Sequence, residues 1–341
     1  MILNKINLLS LCCLVTMSAV SATPMDDFRI LLKQASDSEA INSVMTEYAS
    51  KLDTEEEIRE LQDIWLEFDK VSCQENFQKQ FEHDPNSAKL WYLALRAQDD
   101  ADKVLKESIK LCNAHPDYYW GYRLFISSFM AWMLEAGLEE KNSLQDVDLE
   151  LKTLDKGNKL FPDDDYFSII QFHRYRITGD YSKAETFLGK IRNLSLLKPH
   201  WLYVRYFLIV SQNIATYESL MPKLLLLQRE DTSYTQQDSL FDYAQGYVTI
   251  LEQTKSWKKL ESYFATNPIL LDNWAFFDHY ASMLAATSRW DELLQQLSLS
   301  VDKGVTDKER LQEYGIKWQL DKRAEWPALV KKAESQVKKQ R

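Results

Sequence analysis

The 341-residue sequence contains little glycine and little proline, and this scarcity excludes several kinds of site and fold. Eight glycines are too few to suggest tight phosphate-binding loops or strained nucleophile turns. Alternating β-branched runs bounded by Asn-Gly or Asp-Gly, the usual signals of strands and hairpins, are missing as well. Leucine, lysine, glutamate, glutamine and alanine are plentiful instead, which predicts an all-α fold.

Motifs of enzymes and metal sites are also missing. The sequence has no GxSxG, Walker, GxGxxG or HExxH motif, and its five histidines never stand three or four residues apart. The acidic runs at 99–103 and 163–165 lack the spacing and the central glycine of a calcium loop. We therefore expect no catalytic residue, no metal ion and no cofactor.

Only two cysteines, Cys73 and Cys112, lie beyond the first 22 residues. Cys73 stands 12 residues before Pro85, whereas Cys112 stands 4 residues before Pro116. If the two prolines mark equivalent turns, the cysteines differ in height by about 12 Å on neighbouring helices, at 1.5 Å per residue. A disulfide needs Cα atoms within about 7 Å, so the spacing favours two free thiols.

The N-terminus has the pattern of a secretory signal peptide. Lys5 precedes an apolar run from Ile6 to Val20, and small residues at 20–22 provide a cleavage site before Thr23. An uncleaved anchor is the alternative. No later segment has the about 20 apolar residues of a membrane span, and the nearest, Leu124–Leu134, is expected to be a buried helix. The scarcity of cysteine pairs favours the bacterial periplasm, with general secretion as the alternative.

The chain is acidic, with a formal net charge of −10 that becomes −11 when residues 1–22, with their single lysine, are removed. This charge repels nucleic-acid phosphates and anionic lipid, so neither is expected as a partner. The C-terminus is basic by contrast. We expect residues 336–341 to form a solvated tail near a helix C-terminus, where the dipole favours cations, or else a docking tail.

A short pattern recurs along the second half of the chain. The stretch TGDYSKAETFLGKI starts at Thr178, and its turn and aromatic return in four degenerate copies. The aromatic positions are 181, 217, 257, 290 and 326, which are 36, 40, 33 and 36 residues apart. Prolines at 85, 116, 162, 199 and 268 each precede an aromatic-rich run. A period of this length predicts stacked helix–turn–helix units.

The repeat resembles the tetratricopeptide (TPR) family. The best copy has Tyr175, Gly179, Tyr181 and Ala184 at the places where that family has its signature residues, whereas other copies carry larger residues at the small positions. The resemblance implies an α-solenoid over residues 85–335, after an N-terminal helical segment at 23–84. Residues expected to pack between repeats are Tyr175, Gly179, Tyr181, Ala184, Tyr217, Trp257, Trp290 and Trp326.

In TPR-like proteins the first helices of the pairs line a groove that holds peptides or partner helices. Counting from the turn aromatics gives a candidate groove face with both signs of charge. Its residues are Tyr166, His173, Arg176, Arg205, Gln212, Gln245, Glu252, Asp278 and Ser282. We therefore expect an exported, non-catalytic scaffold that binds a peptide or protein. The alternatives are a cell-envelope enzyme of glycosidase type, and a helical module that packs through its apolar ends.

Overall fold

The computed structural model describes residues 24–35, 37–139, 147–230 and 233–340, and the regular elements within these ranges are all helices. The all-α prediction is therefore confirmed. The expected signal peptide at 1–22 lies outside the described residues. The chain divides into two compact units, one ending at Pro162 and the other beginning at Asp163.

The first unit has eight α-helices in its described part, which pack as neighbouring pairs. They are α1 (Pro24–Gln34), α2 (Ser38–Ala49), α3 (Glu55–Phe68), α4 (Lys70–His83), α5 (Ala88–Arg96), α6 (Ala101–Ala114), α7 (Tyr119–Glu139) and α8 (Asp148–Leu160). The boundary expected at 84/85 falls between α4 and α5, which pack against each other. The apolar segment Leu124–Leu134 lies within α7, and no helix among the described residues is both long and apolar enough to cross a membrane.

Both cysteines of the first unit are free, as the spacing favours, and both are fully buried. Burial raises the pKa of each thiol to about 12, because a thiolate would lose its solvation there. A buried glutamine connects two helices nearby. The Nε2 of Gln62 on α3 donates to the carbonyl of Leu93 on α5 over 2.8 Å, and its Oε1 accepts from Arg96 over 2.7 Å.

The second unit has ten α-helices in its described part, again as neighbouring pairs. They are α9 (Asp165–Thr178), α10 (Tyr181–Leu188), α11 (Trp201–Val210), α12 (Ile214–Gln228), α13 (Gln236–Gln253), α14 (Trp257–Thr266), α15 (Trp274–Ala286), α16 (Trp290–Asp302), α17 (Lys308–Trp318) and α18 (Trp326–Gln340). Short 3-10 helices lie at Leu194–His200, Pro268–Asp272 and Leu320–Lys322. Most of the expected basic tail, up to Gln340, continues α18.

The prolines mark helix starts, as expected, but not all in the same way. Pro85, Pro116 and Pro162 each lie three residues before the first residue of α5, α7 and α9. Pro199 and Pro268 lie instead in the 3-10 helices that precede α11 and α15. Because proline has a fixed φ and no amide proton, it suits both a turn and a helical first position.

Three turns of the second unit share one backbone conformation. They join α11 to α12, α13 to α14 and α15 to α16, and each contains a non-glycine residue with positive φ, namely Gln212 (55°), Lys255 (54°) and Ser288 (58°). The next amide in each turn donates to the carbonyl five residues earlier, over 3.1, 2.8 and 2.9 Å respectively. This is the Schellman closure of a helix C-terminus. Gly179, with φ 79°, occupies the matching position between α9 and α10.

The common turn corrects the sequence alignment at one copy. Tyr181, Trp257 and Trp290 each follow the positive-φ residue by two positions and open their helices. The matching residue of α12 is Ile214, so Tyr217 lies three residues further into its helix than the alignment placed it. The alignment relied on the aromatic side chain, whereas the backbone turn sets the start of the helix.

The residues expected to pack between repeats differ widely in burial. Ala184 and Tyr217 are fully buried and Trp326 is 6% exposed, whereas Tyr181 is 38% exposed. Tyr175, Trp257 and Trp290 are half-buried. Two of the aromatics lie directly over a glycine of an adjacent helix. The ring of Tyr217 covers Gly246 of α13, and the indole of Trp326 covers Gly315 of α17.

Candidate functional site

Eight of the nine predicted groove residues lie on the first helices of pairs in the second unit, on α9, α11, α13 and α15. Two of the nine do not lie on the exposed face of a helix, one because it is buried and the other because it lies in a turn. His173 is fully buried, because the ring faces His200 and Tyr203 rather than solvent. Gln212 is exposed but lies in the turn after α11, where it has the positive φ that ends the helix.

Arg205 of α11 is bound by α13. Its Nη1 lies 3.4 Å from a carboxylate oxygen of Asp242, and its Nη2 donates to Oε1 of Gln245 over 2.8 Å. The second oxygen of Asp242 accepts from the hydroxyl of Tyr234 over 2.6 Å. The structure thus brings the predicted residues Arg205 and Gln245 together, but their polar groups serve to connect two helices of the same chain.

Glu252 of α13 and His279 of α15 form a similar pair across the next two helices. Burial acts to raise the pKa of the Glu252 carboxyl, but the hydrogen bonds from His279 and Ser282, with the positive charges nearby, outweigh it and lower the pKa. Ser282 is the third predicted residue of this cluster. Glu252 is therefore held as a carboxylate by its own chain.

Asp278 of α15 faces α17. Burial, and then the negative charge of Asp278, raise the pKa of the Tyr314 hydroxyl. One helical turn earlier on α15, the ring of Trp274 lies 3.7 Å from the guanidinium carbon of Arg310, which is cation–π geometry. Trp274 is 53% exposed, so this stacked pair borders solvent. These residues extend the polar face from α13 to α17.

Arg176 of α9 differs from Arg205 because no carboxylate of the described residues binds it. The side chain of Arg176 contacts the Nδ1 of His173, 3.4 Å from Nη2, and the ring of Tyr203, 4.8 Å from the guanidinium carbon. Its Nε is buried and has no hydrogen-bond partner among the described residues. Burial lowers the pKa of Arg176, and electrostatic interactions with Tyr203, Tyr206 and Tyr181 act in the opposite direction. We call Arg176, His173, His200, Tyr203 and Tyr206 the Arg176 niche.

The two histidines of the niche are neutral and have defined tautomers. Burial, then the charges of its neighbours, lower the pKa of His173 well below its usual range, and burial and Arg176 lower that of His200. The Nε2 of His173 lies 3.2 Å from the Nδ1 of His200. Because a guanidinium only donates, the Nδ1 of His173 must accept, so the proton of His173 lies on Nε2 and points to His200. The Nδ1 of His200 accepts it, which leaves the proton of His200 on Nε2.

An apolar stripe lies beside the niche on α11. Leu202, Tyr206 and Val210 are 56%, 61% and 36% exposed and stand at i, i+4 and i+8, on one face of the helix. Single exposed apolar side chains are ordinary, whereas three in line on one face of a helix are not. We call Leu202, Tyr206 and Val210 the α11 stripe. Sequence reasoning selected the polar residues of this face and passed over the stripe.

A cleft of about 650 Å³ lies elsewhere in the second unit, between α10, the segment after it and α12. The first half of α12 forms one wall of the cleft, opposite α10 and the residues that follow it. Its lining includes Lys190, Arg192 and Lys223. None of the predicted groove residues lines this cleft. The sequence signal that indicates it is Gly189, at which α10 ends after 8 residues.

Among the described residues, no three histidine, cysteine, aspartate or glutamate side chains are grouped to hold a metal ion. Comparison of the sequence with protein-family models and with curated proteins found no match in either case. The arguments about function therefore depend on the polar face, the Arg176 niche and the α11 stripe.

Proposed function

We propose that this chain is an exported, non-catalytic scaffold whose second unit binds a peptide or partner protein on the face formed by the first helices of a TPR-like solenoid. The bacterial periplasm is the proposed compartment, on the basis of the N-terminal sequence. The α11 stripe is the observation that carries the proposal. Its three apolar side chains are left in solvent by the fold, and covering them would release water from apolar surface at a gain of about 25 cal/mol per Å².

The polar pairs on the same face support a scaffold with a preformed surface. Arg205 is held by Asp242, and Glu252 by His279, so these side chains are already ordered before a partner arrives. A surface whose side chains are fixed in advance loses less conformational entropy on binding. We therefore assign the polar pairs to the support of the surface and the α11 stripe to the contact itself.

Site-specific photo-crosslinking tests this assignment. A benzoylphenylalanine replaces Tyr206 in one variant and Leu226 of α12 in the other, because both positions are 61% exposed in the same unit. In the native envelope we expect a defined partner band from position 206 and none from position 226. Leu202→Glu should weaken the band and Leu226→Glu should not. Identical bands from both positions, or no band from position 206, would refute the proposal.

A further inference from the structure

The Arg176 niche contains a cation that the fold does not neutralise. Arg176 is half-buried and pairs with no carboxylate among the described residues, so it loses solvation and gains little in return. On α11, Arg205 is paired with Asp242, although both arginines have a buried Nε without a hydrogen-bond partner and belong to the same predicted face. The chain has 51 acidic residues, so a lack of acids does not explain the difference.

The position of the niche relative to the α11 stripe indicates what kind of carboxylate fits. The guanidinium of Arg176 lies 4.8 Å from the ring of Tyr203, which stands on α11 between Leu202 and Tyr206 of the stripe, and Val210 lies one turn beyond Tyr206. A segment that covers the whole stripe therefore passes close to Arg176 between its two ends. A chain terminus would end there and leave one side of the stripe in solvent, so the fitting group is the side chain of an internal aspartate or glutamate.

The length of the stripe indicates the spacing of the partner. From Leu202 to Val210 the helix rises about 12 Å, at 1.5 Å per residue. An extended peptide covers about 13 Å between residues i and i+4. Two apolar side chains four residues apart, with an acidic residue midway, match both the stripe and the cation.

The histidine pair couples this contact to protons. The groups that face the two rings are Arg176 from α9 and Tyr203 from α11, and no carboxylate pairs with Arg176 among the described residues. If His200 took up a proton on Nδ1, that N–H would face the N–H on Nε2 of His173. His173 would therefore have to move its proton to Nδ1, where the N–H would point at the guanidinium of Arg176. When a partner carboxylate binds Arg176, the N–H groups of Arg176 turn toward that carboxylate, which also compensates the positive charge. The guanidinium then no longer opposes an N–H on Nδ1 of His173, so the histidine pair can take up a proton.

We propose, on the basis of the function proposed above, that the Arg176 niche binds an internal aspartate or glutamate of an extended apolar partner segment, with uptake of a proton by the His173–His200 pair. The positive charge of Arg176 and the exposed apolar residues on both sides of it select this class of segment. Binding is therefore tighter in mildly acidic solution, although the ligand itself remains ionised.

The probe is the peptide trifluoroacetyl-Leu-Ala-Glu-Ala-Leu-amide, followed by fluorine NMR during titration with the chain from residue 23 onward. Two control peptides, called its twins, have Gln in place of Glu. One ends in an amide like the probe, and the other ends in a free carboxylate. We expect saturable binding of the Glu peptide and at least about tenfold weaker binding of both twins, since a hydrogen bond to a charged group contributes that much. Equal binding of the Glu and Gln amides would overturn the proposal. Stronger binding of the free-carboxylate twin would show capture of a chain terminus instead.

Variants separate the niche from the fold. Arg176→Gln should lose about tenfold in affinity for the Glu peptide while its helix signal is unchanged, and Arg192→Gln, outside the niche, should lose nothing. From pH 7.5 to 6.0 the affinity should rise at least about threefold, and His173→Gln should remove that rise. A flat pH profile overturns the proton coupling. A crosslink from position 206 without binding of the Glu peptide would refute this inference but not the scaffold proposal. Binding of the Glu peptide without a crosslink from position 206 would refute the scaffold proposal but not the peptide site.

Discussion

The contact between Tyr217 and Gly246 predicts a mutation whose effect on stability changes sign with its neighbour. An ideal Cβ on Gly246 would lie 2.1 Å from the hydroxyl oxygen of Tyr217 and 2.8 Å from its Cζ. The ring cannot move freely, because it is fully buried and its hydroxyl donates to the carbonyl of Tyr243 over 3.0 Å. Gly246→Ala must therefore displace a packed ring and disturb its hydrogen bond.

Two opposing terms set the size of the effect. Overpacking of this kind costs about 1–3 kcal/mol, and a strained hydrogen bond adds about 1 kcal/mol. Replacing glycine by alanine inside a helix gains about 1 kcal/mol, and Gly246 lies in the interior of α13. We expect Gly246→Ala to lower the free energy of unfolding by about 1–3 kcal/mol. In a Tyr217→Leu background the clashing atoms are gone, so Gly246→Ala should raise it by about 1 kcal/mol.

Urea unfolding followed by circular dichroism measures the four proteins of this cycle. The coupling free energy should be about 2–4 kcal/mol, which is well above the error of the method. Gly189→Ala is the matched control, because its added methyl meets no atom closer than 3.4 Å, and it should not destabilise the protein. The reasoning is refuted if Gly246→Ala has the same effect in both backgrounds.

Three further predictions concern the turns, the histidines and the thiols. Gly179 and Gln212 both have positive φ, a conformation that glycine adopts more readily than other residues. In urea titrations, Gly179→Ala should therefore lower the free energy of unfolding by about 1 kcal/mol, and Gln212→Gly should raise it by up to about 1 kcal/mol. From pH 7 to 5.5 the free energy of unfolding should fall by about 1.2 kcal/mol through His173, because the unfolded ring takes up a proton there and the folded one does not; His173→Gln should remove that part of the slope. The two buried cysteines should react with a thiol reagent only after unfolding, so labelling of the native chain within its dead time would contradict their burial.

The sequence predicts the helices well because local signals define them. Gly179 followed by Asp180 specifies a helix end and the next helix cap, and the structure has both at those residues. The equivalent end at Gln212 could not be foreseen in the same way, because glutamine has no preference for positive φ. The backbone at Gln212 nevertheless forms the same turn. The sequence alignment followed the aromatic Tyr217, which lies inside the helix, and so missed this turn.

The candidate site is less predictable, because its properties depend on which residues of neighbouring helices face each other. A helical count places Arg176 and Arg205 on one face but does not show that Asp242 reaches only the second. That difference decides what a mutation would mean. Reversing the charge of Arg205 would leave Asp242 beside a second negative charge and would disturb α11 and α13 together. Reversing the charge of Arg176 breaks no ion pair, so a loss of binding in that variant can be assigned to the niche. Because Arg176 is half-buried and has no acidic partner among the described residues, its substitution tests binding without breaking an ion pair.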